Sequence, residues 1–206
     1  MGEMIKMVVV LLVLSLVSGS LLAKIHDGTK GRIENQILKF VKGPAIEKIF
    51  SRAENDPLEE RYRFKIEDGK SVRSFYIGRY DGKANAVSFE GKGKGGYGGD
   101  IGVMVGVNIN DDRLVGVGVT THSETPGMGS KAQTDPKFAA QFETLTIDQV
   151  FKVKADGGKI DAISGATMTS RAVSAGLNDA AAIYKRLKPK IIEQLKGSVG
   201  TGEKDG

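Results

Sequence analysis

Residues 161–170 read Asp161-Ala-Ile-Ser-Gly-Ala-Thr-Met-Thr-Ser170, and they combine a short apolar segment, a glycine turn and the start of a helix. Ile160 and Ile163 predict a short buried strand, and Gly165 lets the backbone turn sharply after it. Beyond this turn, apolar residues recur at intervals of three and four, which predicts a helix with one buried face. These residues are Ala172, Val173, Gly176, Leu177, Ala180, Ala181, Tyr184 and Leu187.

The turn stands at a helix N-terminus and therefore has two interpretations. The hydroxyls of Thr167, Thr169 and Ser170 lie where a side chain often caps a free backbone amide. The same free amides and the positive end of the helix dipole also favour an anion such as phosphate. Taken alone, the stretch favours the simple cap.

A second loop, His122-Ser-Glu-Thr-Pro-Gly-Met-Gly129, adds to the case for a ligand. Pro126 fixes one backbone dihedral, and Gly127 and Gly129 let the backbone turn and present amides to a flat ring. The polarizable sulfur of Met128 can lie against an aromatic face. A plain tight turn would explain the Pro-Gly pair equally well.

The middle of the chain predicts a mainly antiparallel sheet. Tyr62, Phe64 and Ile66 alternate with basic residues, and residues 75–80 and 84–89 predict two further strands. Alternating apolar residues at 101–109 and 115–119 flank a turn at 110–112, which predicts an antiparallel hairpin. Asp135-Pro136 predicts a helix start, and residues 147–153 a short element whose type the pattern does not fix.

The run Gly91-Lys-Gly-Lys-Gly-Gly96 satisfies Gly-x-Gly-x-x-Gly, but a dinucleotide fingerprint requires a helix after it. Here a strand beginning near Ile101 follows, so a Rossmann site is excluded. We expect a flexible turn between strands. The alternative is a close approach of the backbone to a cofactor or partner, with Tyr97 beside the ring.

Residues Met7 to Ala23 carry no charge and are rich in Val and Leu. At 1.5 Å per residue they span roughly 25 Å, which predicts one transmembrane helix. A cleaved signal peptide, with Ser18-Gly-Ser20 as the cleavage site, is the alternative. Lys6 lies before the span, and Lys24, Lys30 and Arg32 lie beyond it. This charge bias does not settle the orientation, and it weakly favours a folded part in the cytoplasm.

Composition excludes several kinds of site. The chain has no cysteine, so thiolate-bound iron-sulfur clusters, c-type haem and disulfides are excluded. The net charge of +5 comes from interleaved acidic and basic residues, so no nucleic-acid partner is predicted, although anionic lipid heads near the anchor are. With His26 and His122 as the two histidines, no metal site and no catalytic residue are predicted, and His122 is interpreted as a hydrogen-bonded loop residue.

Three motifs occur in a fixed order: Gly-Tyr-Gly-Gly-Asp-Ile at 96–101, the loop 122–129 and Asp-x-x-Ser-Gly-Ala-Thr at 161–167. Together they resemble the FMN-binding domain of ion-pumping membrane oxidoreductases. The likeness is greatest to the G subunit of the Rnf-type ferredoxin:NAD oxidoreductase, and the C subunit of the sodium-pumping NADH:quinone reductase is the nearest relative. The resemblance covers nearly the whole chain. It implies an α+β fold, in which a single N-terminal transmembrane helix precedes an FMN-binding domain with a largely antiparallel sheet packed by helices.

The resemblance also implies a cofactor and its contacts. FMN would be carried covalently, through a phosphoester to Thr167, and Asp161 would belong to the sequence that a separate flavin transferase recognises. The further cofactor-binding residues would be Ser164, Gly165, Ala166, Thr169, Ser170, Glu124, Thr125, Gly127, Met128, Lys131 and Tyr97.

The expected organisation is a transmembrane anchor at 1–28, a helical stalk at 29–52, the FMN-binding domain at 53–196 and a disordered tail at 197–206. The last helix is expected to run to Leu187, to be interrupted at Pro189 and to resume as far as Lys196. The tail is expected to be disordered because it is polar and rich in glycine.

The expected function is electron transfer within a membrane complex, with no independent turnover. Expected partners are other membrane subunits, including the D subunit with its own covalent flavin, a flavin transferase and the lipid bilayer. The resemblance places the chain in the bacterial inner membrane as a single-pass protein, with the flavin domain outside the cytoplasm despite the charge bias. Two alternatives remain open: a C-type subunit of a sodium-translocating NADH:quinone reductase, and a membrane-anchored scaffold domain without flavin.

Overall fold

The structure is a computed structural model that describes residues 2–65, 72–143 and 145–197. It divides into two compact units, one ending at Phe40 and the other beginning at Val41. The first unit contains helix α1 (Gly2–Gln36) and most of a π-helical turn (Ile37–Lys42). Among the described residues, one helical run, Gly2–Ile49, is long and apolar enough to cross a membrane. The predicted N-terminal apolar helix is therefore confirmed, and it extends well beyond the predicted span.

The second unit is built on a five-stranded antiparallel sheet in which every strand pairs with its neighbours in sequence. The strands are β1 (Arg61–Lys65), β2 (Val72–Tyr80), β3 (Lys83–Gly96), β4 (Gly99–Asn108) and β5 (Leu114–Val119). Val103 pairs with Val119 and Val105 with Val117, which confirms the predicted hairpin. Ile66, which we expected in the first strand, lies outside the described residues.

Helix α5 (Thr167–Gly197) covers one face of the sheet, and the residues of the predicted stripe are buried or half-buried there. The predicted interruption at Pro189 is wrong, because this residue lies inside one helix of 31 residues. Leu187 and Ile191 are buried on either side of it, so packing on the sheet holds both segments in one helix. Gly197 belongs to this helix, and the rest of the predicted tail, 198–206, lies outside the described residues.

Helix α2 (Gly43–Ile49) covers the opposite face of the sheet. A Cβ built on Gly106 or Gly116 would meet the side chain of Ile49, and one on Gly118 would meet Ala45. These glycines alternate with the residues that face α5, and they let α2 approach the strands closely. The compact unit therefore begins at Val41, earlier than the expected boundary between a stalk at 29–52 and a domain at 53–196.

The predicted flexible turn at Gly91–Gly96 is wrong, because these residues form the second half of β3. A Cβ on Gly91 would collide with the carbonyl oxygen of Gly176, and one on Gly93 with that of Ala172. The glycines therefore allow a close approach of the backbone, which was the alternative interpretation, but the neighbour at these two positions is α5.

The segment between β5 and α5 is mostly irregular. Helices α3 (Lys131–Thr134) and α4 (Pro136–Ala140) are short. Helix α4 begins at Asp135-Pro136, as predicted, and Asp135 caps it by accepting a hydrogen bond from the Lys137 amide. The strand predicted around Ile160 is wrong: a single parallel bridge joins Ile160 to Val153. The chain has turned back just before it, through a short 3₁₀ helix (Lys154–Asp156) and Gly157 at φ +78°, so the strand cannot extend.

Candidate functional site

The three sequence motifs meet in the second unit, although they are far apart in the sequence. The carboxylate of Glu124 joins them. Its Oε1 accepts a hydrogen bond from the Gly98 amide at 2.9 Å, and its Oε2 accepts one from the Thr169 hydroxyl at 2.5 Å. The strand turn at 96–101, the loop 122–129 and the first turn of α5 are therefore in direct contact.

The Ser-Gly-Ala-Thr turn has the geometry predicted for it. Gly165 adopts φ +77°, a left-handed conformation that residues with side chains rarely take, and α5 begins two residues later at Thr167. The hydroxyl of Ser170 closes the turn from inside. It accepts a hydrogen bond from the Ile163 amide at 2.9 Å and donates one to the Ala166 carbonyl at 3.1 Å.

The hydroxyls of the turn differ in how accessible they are. Ser164 is exposed and Thr167 is half-buried, whereas Thr169 and Ser170 are almost fully buried and bonded to protein atoms. Thr169 and Ser170 were expected among the cofactor-binding residues, but their hydroxyls are bonded to Glu124 and to the Ala166 carbonyl instead. The first backbone amides of α5 remain suitable donors, because a helix leaves its first N–H groups without partners inside the helix.

The Pro-Gly bend lies directly against this turn. Gly127 adopts φ +75°, and its amide donates a hydrogen bond to the Ser130 hydroxyl at 2.9 Å. A Cβ placed on Gly165 would lie 3.2 Å from the terminal methyl group of Met128. Thr125 and Lys131 are exposed at the two ends of the bend. Of the residues predicted in this loop, Glu124 alone is buried, at 6% exposure, so its carboxylate faces protein rather than a ligand.

Large apolar side chains are exposed around the same turn. Among the described residues from Val41 onward, the exposed ones are Tyr97 (75%), Met128 (49%), Val150 (71%) and Met168 (50%). Tyr97, Met128 and Met168 belong to the segments joined by Glu124 or adjoin Thr167. Exposed apolar groups concentrated at one place indicate a surface that is covered by a ligand or a partner.

Asp161 is held from both sides of its backbone. Its amide donates to Oε1 of Gln141 at 2.7 Å, and its carbonyl accepts from Nε2 of the same side chain at 3.2 Å. Its carboxylate is exposed and lies 2.7 Å from the ammonium group of Lys154. Sequence reasoning missed Gln141, because nothing local to a glutamine indicates a partner 20 residues away.

Arg171 ties the loop before the Ser-Gly-Ala-Thr turn to α5. Its guanidinium donates two hydrogen bonds to Asp156, at 2.8 and 2.7 Å. These bonds hold the pKa of the Asp156 carboxyl below its usual value. No local pattern in the sequence indicates this pair.

His122 is a hydrogen-bonded loop residue in the structure. Its Nδ1 accepts a bond from the Glu124 amide at 3.2 Å, and its Nε2 lies 3.3 Å from Oε1 of Gln133. Within the described residues, no group of three or more His, Asp or Glu side chains is placed to hold a metal ion.

Known proteins match the part of the chain that contains this site. Residues 96–182, which include all three motifs, match the family model of the FMN-binding domain. The G subunit of the ion-translocating oxidoreductase complex of Cereibacter sphaeroides is 32% identical over 188 residues, covering 88% of this chain and 84% of the relative. Its counterpart in Methanosarcina acetivorans is 31% identical over 179 residues, covering 86% of this chain and 93% of the relative.

Among solved structures, NqrC of Shewanella oneidensis has the same fold, with a TM-score of 0.51 and 23% identity over 69% of this chain and 73% of that one. The resemblance inferred from the three motifs is thus confirmed, as is the α+β fold it implies. The chain belongs to the family of G subunits of ion-translocating oxidoreductase complexes, and residues 96–182 are its FMN-binding domain.

Proposed function

We propose that this chain is an electron-transfer subunit of a membrane ion-translocating ferredoxin:NAD oxidoreductase and that it carries FMN on Thr167 through a phosphoester. The observation that carries the proposal is the close approach of the Ser-Gly-Ala-Thr turn to the Pro-Gly bend. Thr169, two residues after the turn, donates a hydrogen bond at 2.5 Å to Glu124, two residues before Pro126. A phosphate at the turn would place the rest of the nucleotide within reach of the bend.

Each part of the site has a physical task in this proposal. The hydroxyl oxygen of Thr167 anchors the phosphate, and the first amides of α5 stabilise its negative charge. The bend at 125–129 supports a flat ring, and Tyr97, Met128 and Met168 shield it from water. When bound, FMN supplies the redox chemistry, while the protein fixes its position and surroundings. No residue of this chain is needed as a base.

Thr167 is favoured over the other hydroxyls of the turn by its position. Thr169 and Ser170 are buried and bonded to protein atoms, and Ser164 precedes the left-handed Gly165 rather than standing on the helix. Thr167 is the first residue of α5, in the turn whose backbone amides have no partner inside the helix.

The test is the mass of the full, membrane-anchored chain after co-expression with a flavin transferase. We expect an FMN adduct on the peptide that contains Thr167, its loss in Thr167→Val and its retention in Thr167→Ser. Thr134→Val is the matched control and should keep the adduct, because Thr134 is an exposed threonine that lies outside the predicted cofactor-binding residues. An adduct that is absent from the natural chain, or that persists in Thr167→Val, overturns the proposal.

The same proposal includes partners and a location. The chain would work with other membrane subunits, including a D subunit with its own covalent flavin, and a flavin transferase would load it. It would sit in the bacterial inner membrane as a single-pass protein with the flavin domain outside the cytoplasm. The match to G subunits extends over most of the chain and favours this assignment over a C-type subunit. The likeness to NqrC concerns the fold alone.

A further inference from the structure

Glu124 is a buried carboxylate that none of the proposed flavin chemistry uses. It is 6% exposed, and its hydrogen-bond partners are the Gly98 amide and the Thr169 hydroxyl. The space around it is filled. A Cβ on Gly129 would lie 2.5 Å from Oε2, and one on Gly96 would lie 2.6 Å from Oε1. A carboxylate is costly to bury, so such packing has to be offset by well-placed donors.

The two hydrogen-bond partners of Glu124 lie in segments that the proposed function places beside the flavin ring or at its point of attachment. Gly98 follows Tyr97 in the turn between β3 and β4, 26 residues before Glu124. Thr169 lies in the first turn of α5, two residues after Thr167 and 45 residues after Glu124. Glu124 itself directly precedes the Thr125-Pro126 bend.

We propose that Glu124 is a positioning residue for the cofactor: its carboxylate ties the Pro-Gly bend and the Tyr97 turn to the helix that carries Thr167. In this role it sets the distance between the surface under the ring and the point of attachment, without touching the ring. This inference rests on the proposed function, and it replaces the expectation that Glu124 contacts the flavin directly.

Substitutions of Glu124 and of its partner Thr169 test whether the hydrogen bonds of the carboxylate hold these segments together. Glu124→Ala removes both hydrogen bonds. Glu124→Gln should restore most of the geometry, because its amide oxygen still accepts from Gly98 and its amide nitrogen can donate to a reoriented Thr169 hydroxyl. Thr169→Val removes one bond at nearly constant volume, and Thr169→Ser keeps it.

Glu90→Ala is the matched control. Glu90 is also a partly buried carboxylate with two hydrogen bonds, accepting from the ammonium group of Lys42 at 2.7 Å and the Thr120 hydroxyl at 2.5 Å. Lys42 is the last residue of the π-helical turn and Thr120 directly follows β5, and neither is a predicted cofactor residue. Its loss should destabilise the unit without moving the three motif segments.

The first measurement is hydrogen exchange of the full chain in the Thr167→Val background, which holds no covalent flavin. There Glu124→Ala should accelerate exchange of the amides in 96–101 and 125–130 by about tenfold or more, as expected for the loss of bonds to a charged group. Glu90→Ala should leave these segments protected. Equal exchange in the two variants overturns the proposal.

The second measurement is the visible circular dichroism and the reduction potential of the flavin in the loaded chain. Glu124→Ala and Thr169→Val should change both in the same direction, the double variant should add little to either, and Glu124→Gln and Thr169→Ser should restore the natural signal. Unchanged flavin signals in Glu124→Ala overturn the positioning role. If Glu124→Ala does not fold, the flavin signals of Thr169→Val and Thr169→Ser are compared instead, and equal signals in these two variants overturn the positioning role.

The two proposals can fail separately. If the natural chain carries no adduct on Thr167 but exchange in 96–101 and 125–130 still depends on Glu124, the proposed attachment is wrong and Glu124 nevertheless joins the three segments. If the adduct forms normally in all variants, with an unchanged flavin spectrum and unchanged exchange, the attachment stands and the role of Glu124 is overturned.

Discussion

Gly165 determines how the chain enters the helix that carries Thr167. Its φ of +77° reverses the backbone between Ser164 and Ala166, so that α5 can begin immediately afterwards. The neighbouring Met128 methyl group occupies the space beside it. A side chain at this position would therefore meet both a conformational cost and a steric one.

Replacing Gly165 with Ala should lower the free energy of unfolding by about 1 to 2 kcal/mol, the usual cost of a left-handed L-residue. It should also reduce the fraction of chains that carry FMN, because the Ser-Gly-Ala-Thr turn is distorted. Denaturant unfolding and intact mass measure the two effects. Gly165→Asn is the control, since asparagine tolerates a positive φ better than alanine does. An alanine variant with natural stability and full flavin loading would contradict this prediction.

At this scale the sequence predicts where the backbone turns better than where side chains point. Gly127 and Gly165 have the positive φ angles that their turns required. Glu124, Thr169 and Ser170 lie beside the Ser-Gly-Ala-Thr turn, but their side chains are directed into the protein. The partners that decide this lie up to 45 residues away, and no local pattern encodes them.

Whole elements, like single side chains, are hard to predict from sequence where their structure depends on distant residues, as the contact between β3 and α5 shows. The alternation of apolar residues in β4 and β5 is local, so the hairpin was predictable from sequence. Gly91 and Gly93 carry no apolar side chains, and their place in a strand depends on the distant Gly176 and Ala172. Pro189 was predicted to break α5, but buried Leu187 and Ile191 outweigh the lost backbone bond.

Gly93→Ala should therefore destabilise the unit that begins at Val41 by about 1 to 3 kcal/mol, the usual range for overpacking. The added methyl group would collide with the Ala172 carbonyl, which belongs to the helix backbone and has little freedom to move. Chemical denaturation followed by far-ultraviolet circular dichroism is the measurement. Lys94→Ala, at the adjacent exposed position of the same strand, should change stability by less than about 0.5 kcal/mol. Equal effects of the two substitutions would show that the close approach has no energetic consequence.

At the scale of the whole molecule, the chain combines an exposed apolar helix with a folded unit that has its own core. The side chains of α1 from Met7 to Leu22 include a continuous set of exposed Val and Leu residues. Such a surface is stable in a lipid bilayer and not in water. The apolar N-terminal helix was predictable from the sequence, because a long uncharged stretch is a local signal.

We expect the natural chain to keep its N-terminal residues and to remain in the membrane fraction after an alkaline wash. Intact mass distinguishes this outcome from a chain cut near Ser18-Gly-Ser20, which would support a signal peptide.

The absence of cysteine allows a direct test of which side of the membrane the folded unit lies on. A single cysteine in Lys137→Cys, on exposed α4, should react with an impermeant thiol reagent from outside the cytoplasmic membrane, and one in Glu3→Cys should not. The reverse labelling pattern would place the folded unit in the cytoplasm.

Helix α5 follows strands β1 to β5 in the chain, and this order has a consequence for biogenesis. During synthesis the strands leave the ribosome before the helix that covers their apolar face, which includes Phe75, Phe89 and Val103. Until residues up to about Ile191 have emerged, this face is uncovered and the turn before α5 is not yet held by a packed helix. Under the proposed attachment, a modifying enzyme would therefore act on Thr167 only after α5 has packed on the sheet.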